Sequence, residues 1–124
     1  MASKLDVDEI AAKDGTSPVT LTKQISPKGY VQFNGTSTLT VNNSFNIGSV
    51  TDSATGKYVN NFTNAFSDAN FASSAQESTG GTNANAQYLT AHSNTTTSVS
   101  FWNVHSGGFQ DDAAIQGIFV GDLA

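Results

Sequence analysis

The sequence predicts an all-β fold, namely an antiparallel β-sandwich with a jelly-roll-like pair of sheets, preceded by a short extended N-terminal segment. Two observations lead to this prediction. Short apolar and β-branched runs are separated by turn signals such as Asn34-Gly35, and no helical pattern lies between them. Only 12% of the residues are charged, and Ser, Thr, Asn and Gly dominate the other polar positions. Such a composition is typical of exposed sheet faces and turns rather than of helix surfaces.

The 124 residues provide room for one modest domain. We assign residues 1–28 to an N-terminal segment for attachment or oligomerisation and residues 29–124 to the β-sandwich domain. The first segment contains too few apolar side chains to form a core of its own. Pro27 and Gly29 mark the boundary, because proline interrupts a strand ladder and glycine allows the chain to change direction.

The first predicted hairpin joins residues 30–33 to residues 36–41 through the Asn34-Gly35 turn. In this register Leu39 and Val41 would point into the core. The two strands begin an antiparallel meander that continues into the next hairpin.

The second predicted hairpin turns at residues 52–56 and closes onto Tyr58, Asn60 and Phe62. Phe45 and Ile47 alternate before it, and Gly48 stands where a β-bulge would change the face of the strand. We therefore expect Phe45, Ile47 and Phe62 to be buried.

The remainder of the domain predicts one long loop and three further strands. Residues 73–86 are rich in Ser, Gly, Asn, Thr and Ala, which favours an exposed loop. Apolar alternation returns in residues 87–89, 98–104 and 114–120. The total of about eight strands is typical of a sandwich.

Charge excludes a nucleic-acid partner. The chain has five basic residues, all of them lysine and all in its first half, and its net charge is −5. It therefore offers no patch that would neutralise phosphates and no guanidinium that would read guanine. We expect no nucleic-acid binding.

Cysteine is absent, so neither disulfides nor thiolate metal sites are expected. A small domain without such links gains stability from packing or from assembly, and we predict a homotrimer. No apolar run is long enough to span a membrane, and residues 1–8 lack the apolar centre of a signal peptide. We expect no membrane insertion and synthesis in the cytoplasm.

The densest group of chemically versatile side chains surrounds the turn formed by Ser106, Gly107 and Gly108. Aromatic faces stack on the C–H faces of sugars, and amide and carboxylate oxygens accept hydrogen bonds from sugar hydroxyls. The alternative is a structural role in which Trp102 packs on a neighbouring strand or subunit. The candidate ligand-binding residues are Trp102, Asn103, His105, Phe109, Asp111 and Asp112.

Catalytic and metal sites are not predicted. The sequence contains no Gly-x-Ser-x-Gly motif and no thiol nucleophile, and Asp111 and Asp112 would point to opposite faces of a strand. The carboxylates do not follow a calcium-loop pattern, and the two histidines, His92 and His105, do not form a zinc motif. We expect neither an enzyme nor a cofactor.

Several pieces of the chain resemble, in order, the C-terminal modules of tail-fibre and other virion-surface proteins of tailed phages, especially phages of marine bacteria and cyanobacteria. The most distinctive piece is Gly-Tyr-Val-Gln-Phe-Asn-Gly-Thr at residues 29–36. Further similar pieces are residues 44–52, Gly56 and Tyr58, Asn61-Phe62, residues 65–71 and residues 118–122, together with the start of the chain at residues 1–10. The resemblance leaves out mainly residues 73–113.

The resemblance implies a trimeric β-sandwich that is displayed on a virion and contacts the host surface. It further implies that the N-terminal segment binds other virion proteins. We therefore expect a virion structural protein, a short tail fibre whose loops recognise a host surface polysaccharide. A capsid decoration protein and a free-standing lectin-like domain are the alternatives.

Overall fold

The computed structural model describes residues 26–77 and 88–124. The predicted β-sandwich is confirmed, because all regular structure in these residues is β-strand and the strands form two packed antiparallel sheets. No helix in the described part of the chain is long and apolar enough to cross a membrane. The strands are β1 (Gly29–Asn34), β2 (Thr40–Phe45), β3 (Ile47–Ala54), β4 (Lys57–Phe62), β5 (Ala72–Glu77), β6 (Tyr88–Asn94), β7 (Ser98–His105), β8 (Gly108–Phe109) and β9 (Ile115–Val120).

Sheet I has the strand order β2-β1-β9-β5, and sheet II has the order β3-β4-β7-β6. The short strand β8 pairs with the end of β7. Val104 pairs with Tyr88 of β6 on one side and with Phe109 of β8 on the other. The strand β8 therefore lies on the same edge of β7 as β4, which pairs with residues 98–102. Residues 1–25 of the predicted N-terminal segment lie outside the described residues.

Asn46 carries the chain from sheet I to sheet II between β2 and β3. Its φ of 58° lies in the left-handed region, which asparagine tolerates better than most residues. The Asn46 side chain accepts a hydrogen bond from the Asn64 amide at 2.7 Å and donates one to the Asn64 carbonyl at 3.1 Å. Because β2 and β3 belong to different sheets, the predicted continuous meander is wrong at this point.

The core lies between the sheets and is mainly aromatic. The Phe62 ring makes edge contacts with the rings of Phe66, Phe71 and Phe119 at centroid distances of 4.9, 5.5 and 5.2 Å. Such geometry suits the aromatic quadrupole. The buried apolar residues are Val31, Phe33, Tyr58, Phe66, Phe71, Val99, Phe101, Ile115 and Phe119.

One contact brings the two sheets especially close. The Phe101 ring of sheet II lies against the backbone of Gly117 in sheet I, where a Cβ atom would collide with the ring. Any larger residue at position 117 would have to push the ring away.

The first hairpin differs from its prediction. The loop spans residues 35–39, and β2 begins at Thr40, so the expected two-residue turn is wrong. The Asn34 side chain explains the wider loop, since it accepts hydrogen bonds from the backbone N–H and the hydroxyl of Thr36 at 2.8 and 2.7 Å. The Gly35 N–H also donates to the Asp112 carbonyl at 2.8 Å.

The burial of side chains in this hairpin and at the start of β3 differs in part from the prediction. Leu39 and Ile47 pack against the core, as does Phe62. Val41 is 39% exposed and Phe45 is 53% exposed, so their predicted burial is wrong. Phe45 lies opposite Tyr30 across the β1–β2 pair, and both rings lie on the outer face of sheet I.

Two further predictions have mixed outcomes. The bulge at Gly48 is confirmed by the register shift between Ile47 and Ser49 against β4. The predicted loop at residues 73–86 is wrong for residues 73–77, which form most of β5 and pair with β9. The inner face of this edge strand carries two small side chains, Ser73 and Ala75, and ends at Glu77, so its composition resembles that of a loop. Residues 78–86 lie outside the described residues.

We predict that Phe119→Ala lowers the free energy of unfolding by about 3–5 kcal/mol, because it removes a ring that is fully buried among other rings. The matched control Phe45→Ala removes an exposed ring and should cost less than about 1 kcal/mol. Urea unfolding of both variants measures the difference. Equal losses would contradict this assignment of the core.

Candidate functional site

The alternation of side chains along β7 separates the six candidate residues. Trp102 lies on the outer face of sheet II, whereas its neighbours Asn103 and His105 are buried. Phe109 in β8 is 40% exposed. Asp111 is half-buried and Asp112 is buried in the loop between β8 and β9. The six residues therefore do not form one surface, and a ligand-binding role for them stays a prediction.

The outer part of this set forms an aromatic patch with residues from neighbouring strands. The Trp102 ring stacks on the His92 ring with a centroid distance of 3.3 Å and an interplanar angle of 14°. It also meets the edge of Phe109 at 5.5 Å. The Lys57 ammonium lies 4.9 Å from the Trp102 centroid and 4.2 Å from the Phe109 centroid, within range of a cation–π interaction. Trp102 is thus already engaged by side chains of β4 and β6.

The inner part forms a buried polar cluster, which comprises Glu77, Asn103, His105 and Asp112. Asp112 Oδ2 lies 2.8 Å from His105 Nε2 and also accepts a hydrogen bond from Asn103 Nδ2. Glu77 Oε2 lies 3.3 Å from the same His105 nitrogen. Asn103 Nδ2 further donates to the Gln110 carbonyl at 2.9 Å. The cluster joins the end of β5 in sheet I to the end of β7 in sheet II.

Asp111 belongs to a different contact. Its Oδ1 accepts a hydrogen bond from the Tyr58 hydroxyl at 2.7 Å and one from the Gly56 N–H at 2.7 Å. Gly56 has a φ of 65°, and a Cβ there would lie 2.6 Å from the Asn103 carbonyl oxygen, so glycine is required at this turn. Burial raises the pKa of Tyr58 well above its usual range, and the hydrogen bond to Asp111 raises it further. Asp111 therefore fastens the β3–β4 turn to the core.

A third feature, which we call the amide groove, crosses the outer face of sheet I. Its volume is about 370 Å³. Two rows of side chains follow from the strand register. One row runs Phe45, Tyr30, Ile118 and Ser74, and the other runs Asn43, Gln32, Gln116 and Gln76. Except for Phe45, all of these residues line the groove, together with Val31 and Gly117.

The amide groove combines a mainly apolar row, which ends at Ser74, with a row of carboxamides. Tyr30 is 40% exposed and Ile118 is 43% exposed. The Tyr30 hydroxyl lies 3.4 Å from Asn43 Oδ1, and Gln116 Nε2 lies 3.4 Å from Gln76 Oε1. Both contacts are long and exposed to solvent, so they use little of the hydrogen-bonding capacity of these groups.

The sequence contains a signal for this groove that motif searching does not detect. Tyr30 and Gln32, Asn43 and Phe45, and Gln116 and Ile118 each pair an apolar residue with an amide at a spacing of two. That spacing places both members on one face of a strand. Only the strand order brings the pairs side by side. Glu77 was missed because its segment was assigned to a loop.

We predict that the protein loses stability as the pH rises above about 10, the ordinary tyrosine pKa. In that range the unfolded state releases the Tyr58 proton and the folded state keeps it, which favours unfolding by about 1.4 kcal/mol per pH unit. Tyr58→Phe should remove this contribution, whereas Tyr30→Phe, which changes an exposed ring, should keep it. Urea unfolding from about pH 8 to about pH 11, a range that includes the ordinary tyrosine pKa, measures how the free energy of unfolding changes with pH. Equal slopes for wild type and Tyr58→Phe would contradict the prediction.

Comparison with known proteins adds no family assignment. No protein-family model, curated protein or solved structure matches the chain. The resemblance to phage tail-fibre modules therefore stays a prediction from the sequence motifs. The chemistry of the amide groove, the aromatic patch and the polar cluster provides the basis for inferring a function.

Proposed function

We propose that this protein is a structural protein of a phage virion surface, a short tail fibre that recognises a glycan on the host and binds it in the amide groove. The observation that supports glycan recognition best is the pairing of an exposed, mainly apolar row with a carboxamide row across four strands of sheet I. The assignment to a virion rests on the resemblance of the sequence motifs alone.

The chemistry of the groove suits a neutral sugar. A pyranose presents a C–H face that packs on an aromatic ring and hydroxyls that both donate and accept hydrogen bonds. Carboxamides also donate and accept, so Gln32, Gln76 and Gln116 can satisfy hydroxyls in either role. The described residues that line the groove are all uncharged. We therefore favour an uncharged polysaccharide over an acidic one.

The aromatic patch is the alternative binding surface. Its tryptophan is the only one in the chain, but the ring is stacked on His92. A sugar would have to displace the imidazole or use the remaining exposed part of the ring. The amide groove requires no such displacement, because Tyr30 already presents an exposed ring beside amides.

We predict that Tyr30→Ala weakens binding to the host polysaccharide by at least about tenfold, since single anchor aromatics often supply several kcal/mol of binding. Tyr88→Ala is the matched control, because Tyr88 is 63% exposed and does not line the groove. Calorimetric titration of the purified protein with extracted polysaccharide measures the change in affinity. Circular dichroism confirms that each variant is folded.

Other results would redirect the proposal. If polysaccharide binding falls in Trp102→Ala and not in Tyr30→Ala, the aromatic patch is the site and the amide groove is not. If wild type binds stripped capsids and no host polysaccharide, the protein is a capsid decoration protein. If it binds polysaccharide but no virion component, a free-standing lectin-like domain is the better description.

We further predict a homotrimer in solution, with the N-terminal segment as the contact between copies. The full chain should have the mass of three copies in light scattering. A variant beginning at Ser26 should form assemblies of fewer than three copies. A stable monomer of the full chain at micromolar concentration would contradict the trimer. The same truncation should leave binding in the amide groove measurable, although with lower avidity.

A further inference from the structure

Three ligand atoms from three separate elements meet inside the polar cluster. Glu77 ends β5, His105 ends β7, and Asp112 lies in the loop that follows β8. One carboxylate oxygen of each acid and one ring nitrogen of the histidine all lie within 4.8 Å of one another. Carboxylate oxygen and imidazole nitrogen are the common non-thiolate ligands of divalent transition metals.

The separations from His105 Nε2 to the two carboxylate oxygens are equal to or somewhat shorter than those between two ligands of one metal ion. His105 Nε2 lies 2.8 Å from Asp112 Oδ2 and 3.3 Å from Glu77 Oε2. Two ligands bound tetrahedrally at about 2.0–2.1 Å from one ion are about 3.3–3.4 Å apart. Small adjustments of the side chains would therefore allow all three atoms to bind a single ion.

The surroundings provide an independent indication. Asn103 is fully buried beside the three ligands, and its Nδ2 donates to Asp112. Such an outer hydrogen bond orients a metal-binding carboxylate. The other end of the same amide, Oδ1, is buried and accepts no hydrogen bond among the described residues. A buried carbonyl oxygen without a donor is costly, and a bound water would supply the missing partner.

We propose that Glu77, His105 and Asp112 bind one divalent transition-metal ion, with Zn²⁺ as the first candidate. Imidazole disfavours Ca²⁺ and Mg²⁺, which select oxygen ligands. The ligand side chains are 6–8% exposed, which is typical of a structural ion. The ion would connect sheet I to sheet II and to the β8–β9 loop in a chain without disulfides. This role does not depend on glycan recognition.

The test is a titration of the metal-free full-length protein with Zn²⁺ by calorimetry, combined with thermal unfolding. We expect one equivalent of Zn²⁺ to bind per chain and the melting temperature to rise. His105→Gln should abolish both effects. His92→Gln is the matched control, because His92 is the other histidine of the chain and lies in the aromatic patch; it should bind Zn²⁺ like wild type.

A second variant separates loss of the metal from loss of the fold. Glu77→Gln keeps the size of the side chain and removes a charged ligand, so it should fold and bind Zn²⁺ at least about tenfold more weakly. The proposal is overturned if metal-free wild type does not bind Zn²⁺. It is also overturned if His105→Gln binds as tightly as wild type, or if His92→Gln loses binding while His105→Gln keeps it.

Discussion

The alternation of side chains along β7 determines where the core, the polar cluster and the aromatic patch lie. β7 is paired along most of its length by β4 on one side and β6 on the other, so its register is held from both directions. Val99 and Phe101 enter the core, and Asn103 and His105 continue the same inner row into the polar cluster. Trp102, which lies between Phe101 and Asn103, therefore points outward. A slip of β7 by one residue would exchange its inner and outer rows. The core, the polar cluster and the aromatic patch would all be disrupted.

Much of the fold could be predicted because turn chemistry and composition are local properties. The sandwich class, the bulge at Gly48 and the turn at Gly56 all follow from a few neighbouring residues. That turn is shorter than the predicted residues 52–56, because residues 52–54 belong to β3. The first hairpin could not be predicted so well, since its loop depends on the Asn34 side chain and on a backbone contact with Asp112. The exposure of Phe45 could not be predicted either, because it follows from the crossing between sheets at Asn46.

The candidate sites were harder to predict than the fold for the same reason. Residues close in sequence, such as Trp102 and Asn103, were grouped together, yet adjacent strand residues face opposite sides of a sheet. The polar cluster instead joins Glu77 and Asp112, which are far apart in sequence and belong to no motif. The amide groove likewise depends on β9 lying between β1 and β5. Long-range strand order, which a single sequence does not reveal, therefore determines both sites.

The close contact between Phe101 and Gly117 has a consequence for the opposite face of sheet I. Gly117 lies in the floor of the amide groove, and the Phe101 ring supports that floor from below. Packing in the core therefore constrains the backbone of the strand that carries Gln116 and Ile118. Substitution of the outer side chains would change the chemistry of the groove and leave its floor in place. A substitution at Phe101 or Gly117 would instead alter the floor of the groove itself.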